Sequence, residues 1–207
     1  HPVIWGRKIT NRNPHSDKIR ILHAGTFKAS ARRFVYETSD EMLKGLTELT
    51  AGISDKLNLD MVIKFRDGSE FSLNSLNKLL QPMPENVIII NKGSFLDALS
   101  QADLLISFSS TTIEEALVNK IPVMLYGGSG RYAHIPVKPY ENGDPVEKAV
   151  TFIKQKEQLA EYFTSLNQKG LSFNVSSKEF DPYRFKNDEA VEFSDWFSSK
   201  MKSIASA

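Results

Sequence analysis

Runs that are apolar along their whole length recur through the chain: IRILHA from Ile19, LDMVIK from Leu59, NVIII from Asn86, DLLISF from Asp103 and IPVMLYG from Ile121. A strand apolar at every position, rather than at every second one, is covered on both faces, which predicts a parallel sheet sandwiched between helices. Helical spacing fills the gaps, with Met42, Leu43, Leu46, Leu49 and Ile53 in the first, then SLNSLNKLL, SFLDALSQA and TIEEALVN. Ser39 reads as the N-cap of the first helix, with Asp40 and Glu41 in its first turn near the positive end of the helix dipole. The expectation is a doubly wound α/β domain of five strands over residues 18–166. Residues 144–166, DPVEKAVTFIKQKEQLAEYFTSL, are predicted as one long amphipathic helix. A C-terminal helical tail, 167–207, carries Phe193, Trp196, Phe197 and Met201 on one side of a second helix. Residues 1–17, with Pro2, Gly6 and Pro14, have the character of a linker following an N-terminal domain.

Composition narrows what such a domain can do. The chain has 207 residues, enough for one large core. Its 26 basic and 25 acidic residues nearly cancel, so no global basic field exists to drive nucleic-acid binding, and an anionic ligand must be met locally. The absence of cysteine excludes disulfides and thiolate-ligated metals. Four scattered histidines and no Asp-x-Asp pair at a strand end give no reason to expect a metal site. No apolar run approaches the ~20 residues needed to span a bilayer.

The candidate chemistry lies in ISFSSTTIEEALVNKIPVMLYGG, from Ile106 to Gly128. In doubly wound sheets, ligands lie beyond the carboxyl ends of the strands, where the strand order reverses. Ser109, Ser110, Thr111 and Thr112 stand at such an end, and a helix beginning near Thr111 turns its free amides and dipole toward the same crevice, which suits phosphate. One hydroxyl would suffice to cap that helix; four suggest a ligand. Neither a Walker-type GK[ST] ending nor a three-glycine dinucleotide fingerprint is present. A carboxylate one turn in, Glu114 or Glu115, can accept hydrogen bonds from ribose hydroxyls. Phosphate and ribose together describe a nucleoside diphosphate.

This stretch resembles the nucleotide-sugar signature in the C-terminal domain of GT-B glycosyltransferases and of the related non-hydrolysing UDP-N-acetylglucosamine 2-epimerases. The matching positions are Asp103, Ser109 to Thr111, Glu115-Ala116 and Pro122-Val123. The resemblance implies a Rossmann-like donor-binding domain in which the turn holds the pyrophosphate and Glu115 holds the ribose. It places His23, Gly25 and Thr26 at the crevice, and the backbone of Ile90, Asn91 and Lys92 against the base. Lys64 and Arg66 share one side of their strand end, where either can neutralise phosphate charge. Arg32 and Arg33 lie in a basic loop expected to reach the donor or an acidic acceptor, with solvated surface the better explanation for at least one of them. The glycine-rich loop Gly127–Pro136 brings Arg131, Tyr132 and His134 beside the sugar, and His134 is a candidate contact.

The implied activity is transfer of a sugar from a nucleotide-diphosphate donor, such as a UDP-sugar, in surface polysaccharide or glycolipid assembly. The leaving group would be stabilised electrostatically, without a metal or other cofactor. An N-terminal acceptor-binding domain is the expected partner. The catalytic base is not assigned, and this half alone is not expected to turn over. The implied location is cytoplasmic, at the inner face of a membrane in the full-length protein. Two alternatives stand beside this reading. An epimerase-like enzyme is disfavoured because the epimerases carry Ser-Gly-Gly where this chain has Ser109-Ser110-Thr111. A non-catalytic receiver-type module is disfavoured because IRILHAGT and NVIIINKG lack clustered aspartates.

Overall fold

The computed structural model describes residues 8–13, 17–25, 37–65 and 72–183. Six strands form one parallel sheet in the order β3-β2-β1-β4-β5-β6. They are β1 (Ile19–Ala24), β2 (Leu59–Lys64), β3 (Val87–Ile90), β4 (Leu104–Ser107), β5 (Val123–Leu125) and β6 (Val150–Phe152). Helices α1 (Ser39–Gly52), α2 (Leu73–Leu79), α3 (Phe95–Ser100), α4 (Thr112–Val118) and α5 (Leu159–Lys169) cover it.

Both faces of the central strands are dry, as their unbroken apolar runs require, while Ile88 of the edge strand β3 is 53% exposed. Successive residues point to opposite faces, so each strand feeds two cores. Ile21 and Ile106 meet Leu46 and Leu49 of α1, Leu76 of α2 and Phe163 of α5 in one of them. Leu22, Leu105 and Val123 meet Leu99 of α3 and Ile113, Ala116 and Leu117 of α4 in the other.

Three details depart from the sequence expectation. The capping residue of α1 is Thr38 rather than Ser39: its hydroxyl accepts from the Glu41 amide, and the Glu41 carboxylate accepts from the Thr38 amide. The Thr-x-x-Glu box thus satisfies two orphan donors at once, which a cap at Ser39 would not. The predicted helix 144–166 is in fact a strand followed by a helix. Val150, Thr151 and Phe152 are β-branched or aromatic and pair with Val123, Met124 and Leu125, which buries all three and makes the sixth strand. The helix begins only at Leu159, where Leu159, Tyr162, Phe163 and Leu166 form an inward stripe. Finally, the tail beyond α5 runs as two short 3₁₀ helices, Gly170–Ser172 and Ser177–Tyr183, which bury Phe180; the helix predicted from Val191 lies outside the described residues.

At the amino ends of the strands, the segment 8–13 is tied down by backbone and side-chain bonds. The Ile9 amide donates to Asn119 Oδ1 at 2.8 Å and the Asn13 amide to the Ser100 carbonyl at 3.0 Å. Asp103 joins the first core strands there, accepting from the Arg20 amide at 3.0 Å. These ties leave the carboxyl ends of the strands as the open side of the sheet.

Leu105, fully buried in the central strand, is the most direct probe of this packing. Leu105→Ala should lower unfolding free energy by about 2–5 kcal/mol, read from denaturant midpoints at unchanged slope.

Candidate functional site

The chain leaves β1 in one direction, toward β2 and β3, and leaves β4 in the other, toward β5 and β6. The two loops therefore part, and a crevice opens at the carboxyl ends of β1 and β4. A cleft of about 230 Å³ occupies that position, lined by His23, Ala24, Gly25, Glu37 and the run Ser107 to Thr111. Its floor is made by the two strand ends. One wall is the β4–α4 turn; the other is the residue that leads into α1, on the opposite face of the sheet.

The hydroxyls of the turn divide into two groups. Ser107 is structural: its hydroxyl donates to the Ala24 carbonyl at 2.9 Å and locks the ends of β1 and β4 together. Ser110 makes a long contact, accepting from the Thr112 amide at 3.4 Å, and Thr112 Oγ1 lies 3.5 Å from Ser107 Oγ. Ser109 and Thr111 line the cleft without spending their hydroxyls on any hydrogen bond among the described residues. The contrast with α1, α2 and α3 is instructive. Thr38, Ser72 and Ser94 each accept an amide of their own helix, whereas Thr111 at the head of α4 has helical backbone angles (φ −61°, ψ −9°) and makes no capping bond. Helix capping therefore does not account for the hydroxyls of Ser109 and Thr111.

His23 comes up from β1 with 5% of its surface exposed. Burial pulls its pKa from 6.5 down to about 4, so the imidazole is neutral near pH 7. Its Nδ1 is buried and finds no partner among the described residues. A neutral imidazole offers one N–H and one lone pair, which suits a ligand oxygen without adding charge. Glu37 supplies a carboxylate from the other wall, an acceptor for ligand hydroxyls or amines.

The remaining sequence candidates are placed as follows. Gly25 borders the cleft, and a side-chain carbon there would lie 2.6 Å from Met42 Cε. Thr26 and Arg66, like Arg32 and Arg33, lie outside the described residues. Lys64 is nearly buried at the end of β2, and its ammonium donates to the carbonyls of Lys92 and Gly93, both at 2.8 Å. It thus holds the β3–α3 loop rather than lining the cleft. Within that loop the Ile90 carbonyl accepts from the Phe65 amide at 3.1 Å, Asn91 is half-buried and Lys92 exposed. Ser94 caps α3. Glu115 is 5% exposed, one turn into α4 and behind the cleft lining; His134 is exposed in the loop after β5.

Sequence reasoning missed Glu37 and Phe108. Phe108 reads as the last apolar residue of a strand and gives no signal of its own. Glu37 was detectable only by recognising the capping box from Thr38 to Glu41, which fixes the residue before it at the mouth of the crevice. Among the described residues no group of three or more His, Asp or Glu side chains is placed to hold a metal ion, and no helix is long and apolar enough to cross a membrane.

A comparison with solved structures meets this geometry at the level of fold. The chain superimposes on MurG from Acinetobacter baumannii with a TM-score of 0.52 at 14% identity, covering 92% of this chain and 54% of that one. The fold is the Rossmann-like α/β arrangement found in GT-B-type structures. The chain spans about half the length of the GT-B-type structures it matches. Similarity also extends, at a TM-score of 0.48 and 17% identity, to a UDP-GlcNAc 2-epimerase from Neisseria meningitidis solved with UDP-GlcNAc bound, covering 89% of this chain and 45% of that one. The calicheamicin glycosyltransferase CalG4 matches at a TM-score of 0.45 and 15% identity over 84% of this chain and 38% of its own. No family model and no curated protein matches the chain by sequence.

His23 gives the site a signature in stability. Its folded pKa lies below its unfolded value, so between pH 6.5 and about 4 the unfolded state binds more protons. Stability should be fully present above pH 6.5 and fall by roughly 3 kcal/mol as the pH drops through that window. His23→Gln should flatten this part of the profile, measured by denaturant unfolding at pH 7, 5.5 and 4.

Proposed function

We propose that the chain is the donor-binding half of a GT-B glycosyltransferase, and that the cleft between β1 and β4 takes the diphosphate of a nucleotide sugar. The observation that carries this reading is the pair of hydroxyls, Ser109 and Thr111, uncommitted among the described residues, in one cleft with the neutral His23, whose Nδ1 has no partner among those residues, at the point where the sheet changes direction. Three groups able to donate to phosphate oxygens converge there on a space open to solvent.

In this reading the turn and His23 donate to the diphosphate and stabilise the charge that develops on it as the glycosidic bond to the donor breaks. The work is electrostatic and needs these groups in place before the reaction, which the Ser107–Ala24 lock and the rigid strand ends provide. The base end of the nucleotide lies toward the β3–α3 loop, which Lys64 braces. In this reading the acceptor and the base for its hydroxyl belong to a second domain, in keeping with the chain's span of 54% of MurG. A role in surface polysaccharide or glycolipid assembly, in the cytoplasm at the inner face of a membrane, follows from the sequence likeness to the nucleotide-sugar enzymes. The chain by itself then binds donor without turning it over.

Calorimetric titration with UDP, CDP, GDP and ADP tests this. One diphosphate should bind saturably, and Ser109→Ala and Thr111→Val should each weaken it by about 1.5–3 kcal/mol, the value of a hydrogen bond to a charged group, or roughly 10- to 100-fold. Glu115→Ala tests the ribose contact in the same titration. Binding that is indifferent to Ser109 and Thr111 would remove the cleft as the diphosphate site.

A further inference from the structure

The walls of the cleft come from opposite faces of the sheet, and one side chain joins them. Arg131, from the loop after β5, lies with its guanidinium carbon 4.4 Å from the centre of the Phe108 ring, and Phe108 lines the cleft. Its Nη1 is 2.9 Å from Glu41 Oε1. The other oxygen of Glu41 accepts from the Thr38 amide at 2.8 Å and from the Thr38 hydroxyl at 3.1 Å. Thr38 directly follows Glu37, the residue that forms the second wall. One continuous path therefore runs from Phe108 through Arg131, Glu41 and Thr38 to Glu37.

The backbone leading into Arg131 is held firmly. The Ser129 amide donates to Glu48 of α1 at 3.1 Å, the Ser129 hydroxyl accepts from the Lys156 amide at 2.9 Å, and the Gly130 amide donates to the Lys154 carbonyl at 2.8 Å. Phe108 has little room to move: a side-chain carbon at Gly127 would lie 2.5 Å from its ring, and Tyr132 packs edge-on at 5.2 Å between centroids. A planar guanidinium can stack on an aromatic face and pair with a carboxylate at its edge at the same time, which an ammonium cannot.

We propose that Arg131 is a positioning residue that sets the width of the cleft by holding Phe108 and the entry to α1 at a fixed separation. It is not among the residues that line the cleft. The proposal rests on the diphosphate reading for its effect on affinity, though its effect on the two walls stands apart from that reading.

The test uses Arg131→Gln, Arg131→Lys, Glu41→Gln and the double variant Arg131→Gln/Glu41→Gln. Without ligand, backbone amide shifts of Glu37 and of Ser109 to Thr111 should move in Arg131→Gln. With the diphosphate that the wild-type chain binds best, affinity should fall about tenfold in Arg131→Gln and in Glu41→Gln, and no further in the double variant, because neighbours in one path are not additive. Arg131→Lys should recover only part of the loss, since it restores the charge and not the stack. Unmoved amides at Glu37 and Ser109, additive losses, or full rescue by lysine would each overturn the proposal. Should the wild-type chain bind no diphosphate, the functional reading fails, while the ligand-free amide shifts still decide the role of Arg131.

Discussion

Burial of both sheet faces is the constraint on which the rest of this structure depends. Ile21, Leu22, Leu105, Ile106, Val123 and Met124 are all at or below 1% exposure, so neither surface of the central strands can host a polar ligand site without opening a core. Polar chemistry is driven to the strand ends. The amino ends are closed by the 8–13 segment and Asp103, and the carboxyl ends part only where the strand order turns around. The position of the cleft is thus a consequence of topology.

The electrostatics of the cleft follow from the same constraint. His23 extends the buried β1 strand, so desolvation keeps it neutral, and Ser107 at the end of β4 must satisfy itself on the Ala24 carbonyl. Further along the turn, where solvent reaches, Ser109 and Thr111 carry no such obligation. Around them the charged groups are tied into supports: Lys64 on the β3–α3 loop, Arg131 on Glu41 and Phe108, and Glu48 on Tyr126 and the Ser129 amide. The backbone bond from Thr38, reinforced by Arg131, holds the Glu41 carboxyl below its usual range and keeps it charged for that task.

How much of this was legible in the sequence depended on how local each signal was. Five strands announced themselves by unbroken apolar runs, and the hydroxyl turn was visible as a tetrad between a strand and a helix. The sixth strand was not, because the five residues between Lys148 and Lys154 fit a helical period as well as a strand, and only pairing with β5 decides between them. Ser39 and Thr38 compete as caps on composition alone; the reach of Glu41 back to the Thr38 amide selects the second. The cleft walls are less legible still. Phe108 and Glu37 meet across the sheet through Arg131, residues separated along the chain and joined by packing that no short motif encodes.

The most direct measurement is a crystal structure of this chain with a bound nucleoside diphosphate. The account predicts the diphosphate between the ends of β1 and β4, within hydrogen-bonding distance of the Ser109 and Thr111 hydroxyls and beside the His23 ring. Phosphates seated elsewhere, with the Ser109–Thr111 turn left to solvent, would contradict it.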